Sequence, residues 1–235
     1  MRFDVLSIFP ESVVGFFATG VLDQAQANGL LEIHLHDLRE FTDDPHRTVD
    51  DRPYGGGAGM VMKVEPFVRA IETIKRESQV DLFTVLLSSQ GRLFRQDDAI
   101  RWAGLPGLLL LCGRYEGVDE RLTAFVDDEV SIGDYVLTGG EVAAAAVVEA
   151  TARMIPGVVG KFESVETDSF YRKARLGPPQ YTRPPIFRGL EVPEVLLSGD
   201  HQKVETFRES RAWEKTAHNR PDLLGLDLDR EKPDG

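Results

Sequence analysis

Short apolar runs alternate with amphipathic stretches as far as residue 155, a pattern typical of an α/β protein. The apolar runs predict five strands, at Phe3–Phe9, Leu31–His36, Phe83–Leu87, Leu108–Leu111 and Glu129–Ile132. The other stretches predict helices, at residues 11–28, 65–76, 96–102, 118–125 and 140–155. We expect a parallel sheet buried between helices. The last helix carries the small apolar run Val142–Val148, so it should pack closely against the sheet or a second subunit.

The character of the sequence changes after residue 160. A polar segment with several Pro and Gly residues follows and predicts a linker. Beyond it, Glu194–Leu197 and Gln202–Ala212 predict two short helices, with Gly199 between them. We therefore expect an α/β domain at residues 1–160, an interdomain linker at 161–185 and a small C-terminal helical domain at 186–235.

Three glycine-bearing segments follow predicted strands directly. They are Leu87–Gly91, Leu111–Gly117 and Ser131–Glu141. Small ligands of open α/β sheets bind at the carboxyl ends of the strands, where these segments should lie. Glycine lets a ligand approach the main chain closely. The three segments together predict a cofactor pocket lined by backbone.

Composition excludes several other classes of protein. No apolar run approaches the ~18 residues of a membrane span, and no signal peptide is apparent before the first strand. The lone Cys112 suits a reducing, cytoplasmic location. The five histidines lack metal-ligand spacing, so we expect no tightly bound structural metal. His34 and His36 are interpreted as exposed positions on one face of a strand rather than as a ligand pair.

Charge is distributed unevenly along the chain. The net charge of −12 argues against a generic nucleic-acid binder. Residues 171–190, however, contain no acid and five basic residues, here called the basic strip: Arg172, Lys173, Arg175, Arg183 and Arg188. The strip is either a solvated face or a site for anions such as phosphates. The glycine-rich loop at residues 50–60 lacks the P-loop and GxGxxG patterns and is interpreted as a lid beside substrate or cofactor.

Several motifs resemble those of bacterial tRNA (guanine-N1)-methyltransferases of the TrmD type. The resemblance extends from Met1 to about Leu224. Its motifs are Asp51–Gly57, Leu111–Arg121, Ser131–Glu141, Ile155–Val158, Asp168–Phe170, Tyr181–Pro184 and Gly189–Gly199. The chain departs from the usual family residues at Ala58, Ser89 and Phe207, where the family has Pro, Pro and Trp.

The resemblance implies the SPOUT fold, an α/β domain with a deep trefoil knot that forms a pocket for S-adenosylmethionine (AdoMet). It implies an obligate homodimer whose active sites use both subunits. The implied reaction is methyl transfer to N1 of the tRNA guanosine immediately 3′ of the anticodon, when another guanosine precedes it. A magnesium ion, assisting the base or folding the RNA, is suggested by the family alone.

Two residues are expected to carry this chemistry. Guanine N1 bears a proton at neutral pH, so methylation requires a base. The family motif places that base at Asp168, although a loop Asp is otherwise a helix cap or a solvated acid. Arg153 either caps the helix before it or stabilises negative charge on guanine O6, and the resemblance favours the second role.

The remaining site residues follow from the three glycine-bearing segments and the basic strip. Expected cofactor contacts are Leu87, Ser88, Gly113, Glu116, Ile132, Gly133, Asp134, Tyr135, Val136, Leu137 and Gly140. Glu116 either binds the sulfonium or amino group or is a first-turn helix acid. Expected tRNA contacts are the basic strip together with His201, Lys203 and Arg208.

Two alternatives accompany this interpretation. A SPOUT ribose 2′-O-methyltransferase would not need Asp168 as a base for a ring nitrogen. A non-catalytic RNA-binding or assembly module would need neither Asp168 nor Arg153, so the presence of both argues against it.

Overall fold

The computed structural model describes residues 1–160, 165–171 and 173–225. The chain divides after Gly160 into two compact units, Met1–Gly160 and Lys161–Gly235. Arg172, predicted to contact tRNA, lies outside the described residues. The strands of the first unit are β1 (Arg2–Ser7), β2 (Glu32–Asp37), β3 (Asp50–Asp51), β4 (Val61–Met62), β5 (Phe83–Leu93), β6 (Gly107–Cys112) and β7 (Asp128–Ser131).

Five of these strands form one parallel sheet in the order β2-β1-β6-β5-β7. The register places Arg2 opposite Gly107 and Phe83 opposite Leu108, so β1 and β5 flank the central β6. β3 and β4 form a separate antiparallel pair. The prediction of a parallel α/β sheet is therefore confirmed.

Five α-helices accompany these strands in the described part of the first unit: α1 (Val14–Phe17), α2 (Gly20–Ala27), α3 (Val64–Glu77), α4 (Gln96–Trp102) and α5 (Glu141–Ala152). The single helix predicted over residues 11–28 is wrong. Thr19 is extended and Gly20 has φ +64°, so the segment breaks between α1 and α2. The helix predicted at 118–125 is instead a 3₁₀ segment, Glu120–Phe125.

The sheet is buried on both faces because side chains alternate along its strands. On one face, Leu108 and Leu110 belong to an apolar cluster with Val147 of α5. On the other face, Leu109 and Leu111 belong to a cluster with the residues of α3. α5 buries eight of its twelve residues, as the small apolar run predicts.

A buried ion pair involves residues of the neighbouring strands β1 and β2. Asp4 is fully buried and accepts hydrogen bonds from Arg2 at 2.7 and 2.8 Å and shares one with His36 at 2.7 Å. Burial by itself would raise the pKa of Asp4, but the hydrogen bonds outweigh it and hold that pKa below its ordinary value. The interpretation of His36 as a plain exposed position is wrong, since its ring is half-buried against this carboxylate.

The second unit contains short strands and helices. Its described elements are β8 (Ile186–Phe187), β9 (Leu190–Glu191), α6 (Glu194–Leu197) and α7 (His201–Asn219), followed by the 3₁₀ segment Pro221–Gly225. α6 has the predicted bounds, whereas α7 continues seven residues beyond the predicted end at Ala212. Asp200 caps α7 by accepting from the Lys203 backbone N–H at 3.1 Å.

Candidate active site

A cavity of about 240 Å³ lies where the three glycine-bearing segments meet in the first unit. Residues of all three segments line it. Those of the first segment lie within β5, those of the second follow β6, and those of the third come from the end of β7 and the segment after it. Small ligands of parallel α/β sheets bind at the edge formed by the carboxyl ends of the strands, and this cavity lies on that side of the sheet. The sequence pattern thus predicts the edge of the sheet at which this cavity lies.

The first segment is a bulge rather than a turn after the strand. Leu87 and Arg92 of β5 both pair with Val130, so residues 88–91 leave the ladder between them. A Cβ at Gly91 would lie 2.5 Å from the backbone N of Val130. Only glycine fits this crossing without moving β7.

The second and third segments are joined to each other. Gly140 donates its backbone N–H to the carbonyl of Gly113 at 2.9 Å, and Arg114 forms an antiparallel bridge with Gly139. A Cβ at Gly140 would lie 2.8 Å from the Cα of Cys112. This close approach of two backbone segments explains why residue 140 is a glycine better than contact with a ligand alone does.

Gly133 lies at the turn after β7. Its φ is +155°, and an added Cβ would meet the ring of Tyr135. The hydroxyl of Ser131 accepts from the Gly133 backbone N–H at 3.2 Å and donates to its carbonyl at 3.0 Å. The turn is therefore held by local bonds from the end of the strand.

The structure brings most predicted cofactor residues together. Those lining the cavity are Leu87, Ser88, Gly113, Glu116, Ile132, Gly133, Tyr135, Val136, Leu137 and Gly140. Asp134 is exposed beside them and is not part of the lining. Sequence reasoning missed Gln90, Arg114 and Ala143, which also line the cavity. All three fall within or next to the quoted motifs, but the strand-end rule alone does not say which side chains turn inward.

Glu116 does not lie in the first turn of a helix. The next helical segment begins at Glu120, so a helix dipole does not explain this acid. Its backbone N–H donates to the carbonyl of Met60 at 3.0 Å, and a Cβ at Gly59 would meet the Glu116 side chain. The glycine-rich loop at 50–60 therefore contacts the rim of the cavity, and its action as a lid stays a prediction.

The two expected catalytic residues belong to different units. Arg153 is half-buried and is the C-cap residue of α5, its N–H donating to Glu149 O at 3.2 Å. Asp168 is exposed, and its backbone N–H donates to Val165 O at 3.1 Å. It lines a second cavity, of about 400 Å³, which belongs to the second unit.

Members of the basic strip differ in exposure. Lys173 and Arg175 both pair with Glu209, at 3.4 and 2.5 Å, and the hydrogen bond from Arg175 lowers the pKa of that carboxyl. The Arg175 side chain is only 17% exposed and lies over the Trp213 ring at 5.6 Å. Arg183 and Arg188 are exposed.

The predicted tRNA contacts of α7 lie on its surface. His201, Lys203 and Arg208 are all exposed. Lys203 pairs with Asp200 at 3.1 Å. Arg208 also lines the cavity that contains Asp168, so a basic and an acidic side chain of the second unit face the same space.

Comparison with known proteins decides the family. The profile of the family described as "tRNA (Guanine-1)-methyltransferase TrmD" matches residues 1–226. The chain belongs to this family. It is 51% identical over 225 residues to the tRNA (guanine-N(1)-)-methyltransferase of Thermomicrobium roseum, covering 95% of this chain and 83% of that protein. The Dictyoglomus turgidum protein of the same name is 49% identical, with 95% and 90% covered.

A third relative extends the match further along the chain. The tRNA (guanine-N(1)-)-methyltransferase of Thermosipho melanesiensis is 51% identical over 230 residues, which are 97% of this chain and 92% of that protein. The TrmD family thus accounts for both units of the fold, including the segment that carries Asp168. The resemblance inferred from the motifs is confirmed.

Among the described residues of this TrmD-family chain, no helix has the length and apolar character required to cross a membrane. Within the same residues, no group of three or more His, Cys, Asp or Glu side chains has the arrangement to hold a metal ion.

Proposed function

We propose that this chain transfers a methyl group from AdoMet to N1 of the tRNA guanosine immediately 3′ of the anticodon. The observation that carries the proposal is the cavity built from three glycine-bearing segments in a chain of the TrmD family. The deep trefoil knot of the SPOUT fold, the C-terminal tRNA-binding domain and a cytoplasmic location belong to the same proposal.

The residues of the cavity fit AdoMet chemically. Leu87, Ile132 and Leu137 provide apolar walls suited to a purine ring. Main-chain groups of the two linked turns provide polar partners, and the exposed carboxylate of Glu116 suits a cationic group. Gly113, Ile132, Gly133, Tyr135 and Leu137 would hold the cofactor. When bound, AdoMet supplies the methyl group as an electrophile.

The protein's own contribution is to prepare the guanine for attack. Asp168 accepts the proton of guanine N1, which leaves the ring nitrogen nucleophilic. Arg153 offers a guanidinium whose N–H groups can bind the O6 oxygen as negative charge develops there. Arg153 is the C-cap residue of α5 through its backbone N–H, so the cap itself does not use the guanidinium.

Recognition of tRNA is assigned to the second unit. Arg183, Arg188, Lys203 and Arg208 are exposed cations and His201 is an exposed imidazole. Phosphate contacts of basic side chains dominate nucleic-acid affinity. They explain how a chain of net charge −12 binds a polyanion. Because Arg175 is buried against Glu209 and Trp213, we assign it to the packing of the unit instead.

A homodimer with composite active sites is part of the proposal. Light scattering should report about 52 kDa, twice the chain mass of 26.2 kDa. Mixing inactive Arg153→Ala and Asp168→Ala subunits should restore partial activity if the two residues of one site come from different chains. A stable, active monomer would contradict the composite site.

The function is tested by methyl incorporation into tRNA. An unmodified transcript should accept one labelled methyl group, and a transcript with adenosine at the target position should accept none. A transcript with 2′-deoxyguanosine there separates base from ribose methylation, and it should still be methylated. Incorporation that disappears with the deoxy substitution would favour a ribose methyltransferase. AdoMet binding without incorporation into any tRNA would favour a non-catalytic module.

A further inference from the structure

A buried polar cluster lies behind the wall of the first-unit cavity. Glu141 is only 3% exposed, and it is not one of the residues lining the cavity. Its carboxylate accepts from the Ser7 hydroxyl at 2.5 Å, from Arg114 Nε at 3.0 Å and from Arg114 Nη2 at 3.1 Å. Both oxygens of this buried carboxylate therefore have hydrogen-bond donors, two at Oε1 and one at Oε2.

The cluster connects three separate elements. Ser7 is the last residue of β1 and also accepts from the Phe9 backbone N–H at 2.9 Å. Arg114 belongs to the segment after β6, and its guanidinium lies 4.5 Å from the centre of the Phe9 ring. Glu141 is the first residue of α5. Glu141 thus holds Arg114 between the Phe9 ring and the N-terminus of α5. The negative charge of Glu141 is itself favourable at a helix N-terminus.

Arg114 transmits this constraint to the cavity wall. It lines the cavity, and it pairs with Gly139 while Gly140 donates to Gly113 at 2.9 Å. There is no space for a side chain at this junction, because a Cβ at Gly139 would meet both the Glu141 carboxylate and Arg114 Nε. Two of the three cavity segments therefore have their relative position set by the Arg114–Glu141 pair.

We propose that Glu141 is a positioning residue for cofactor binding, with Ser7 as its support and Arg114 as the group through which it acts. The proposal rests on the cofactor site assigned above. It predicts that the pair governs the affinity for AdoMet and leaves the rate of methyl transfer at saturating AdoMet nearly unchanged. A pair with a purely structural role would alter thermal stability without altering AdoMet affinity in the folded protein.

The main test is AdoMet titration by calorimetry with full-length Glu141→Gln. The neutral amide keeps the shape but turns an N–H toward one of the donors it faces. Arg114 is then held less firmly, so the dissociation constant for AdoMet should rise about tenfold. The single-turnover rate at saturating AdoMet should stay within about twofold. Glu72→Gln, at an exposed position of α3, is the matched control and should bind AdoMet normally.

Two further variants keep the test decisive if Glu141→Gln folds poorly. Ser7→Ala removes one donor outside the cavity and should weaken AdoMet binding by a few-fold. Arg114→Lys keeps the charge but loses the two-pronged geometry, and combining it with Glu141→Gln should cost much less than the product of the single effects. Unchanged AdoMet affinity in folded Ser7→Ala and Arg114→Lys, or independent effects in the double variant, would overturn the proposal.

Titration of the unsubstituted protein separates this inference from the proposed function. If that protein fails to bind AdoMet, the assignment of the cofactor site is wrong. If it binds AdoMet and the three variants bind equally well, the cofactor site stands and the positioning role is wrong.

Discussion

The two units of this chain use their helices in opposite ways. α5 in the first unit buries eight of its twelve residues, whereas α7 in the second buries two of its nineteen, Ala212 and Thr216. Close packing fixes the backbone of the first unit around a small cavity. The second unit instead presents charged side chains to solvent. A preformed pocket suits a small cofactor, and an open charged surface suits a large polyanion.

The largest expected effect tests the proposed role of Asp168, in the second unit, as the base. Asp168→Asn preserves the shape of the side chain but removes the proton acceptor. Loss of a general base costs ~10²–10⁴ in rate, so single turnover on unmodified tRNA should fall at least a hundredfold by that range. AdoMet affinity, measured by calorimetry, should change little, because the cavity proposed to bind AdoMet belongs to the first unit.

Asp222→Asn is a suitable control for this variant, because it removes another exposed acid of the second unit. It should retain the normal rate. A near-normal single-turnover rate in Asp168→Asn would show that Asp168 is a structural residue and that another group deprotonates the guanine.

The next effect tests the packed first unit. Gly140→Ala places a Cβ 2.8 Å from the Cα of Cys112, and neither backbone can move without shifting the joined turns. Overpacking of this kind costs roughly 1–3 kcal/mol, so AdoMet affinity should fall by about tenfold or more in calorimetry. Gly104→Ala is the control, since its Cβ would meet only Arg101 O at an ordinary 3.5 Å.

Unchanged AdoMet binding in folded Gly140→Ala would show that the turn at Gly140 is not part of the AdoMet site. The prediction differs from one based on the sequence, which would choose Gly133 from the same segment. At Gly133 the obstructing group is the exposed side chain of Tyr135, which can rotate away, so the backbone strain at φ +155° is the main cost there.

Hydrophobic periodicity predicts the strands of the sheet but not the conformation of the loops around it. The continuously apolar run of β6 predicts a central strand, and Leu108–Leu111 are indeed fully buried. The bulge at residues 88–91 has no signature in periodicity, because it depends on Val130 pairing twice with β5. The break before α2 depends on the left-handed backbone of Gly20. A hydrophobic pattern does not show whether a glycine ends a helix or lies within it.

The candidate site was predictable to a similar extent. Strand-end glycines indicate the correct edge of the sheet, and the family motifs indicate most residues of the cavity. The burial of Glu141 and its bonds to Ser7 and Arg114 could not be predicted, since Ser7 is 134 residues away in sequence. Likewise, the sequence groups Arg175 with the other basic residues, and only its packing against Trp213 separates it.

Buried and exposed ion pairs should differ in their effect on stability. Asp4 is fully buried with Arg2 and His36, so Asp4→Asn should lower the free energy of unfolding by about 1–3 kcal/mol at pH 7. The Glu209 side chain of the second unit is 42% exposed although it pairs with Arg175. Glu209→Gln should therefore lower the free energy of unfolding by only ~0–1 kcal/mol. Urea denaturation of both variants measures the difference.

The pH dependence of Asp4→Asn provides an independent check. The pKa of Asp4 is lower in the folded protein than its ordinary value. Its ionised form therefore stabilises the fold above the unfolded pKa of ~3.9, and this stabilisation is lost as the pH falls through the folded pKa. The gap between the unsubstituted protein and Asp4→Asn should narrow with acidification below pH ~4. A gap independent of pH would mean that packing alone explains the loss.

The smallest expected effect distinguishes exposed from buried cations within the basic strip. Arg183→Gln removes an exposed charge, so the slope of log tRNA affinity against log salt should decrease by about 0.7–0.9, with unchanged AdoMet binding. Arg175→Gln removes a charge held by Glu209, so it should lower thermal stability and leave that slope intact. Fluorescence titration of tRNA at several salt concentrations measures both slopes. Equal slopes for the two variants would show that exposure in this unit does not identify the phosphate contacts, and the assignment of Arg183 to tRNA binding would be wrong.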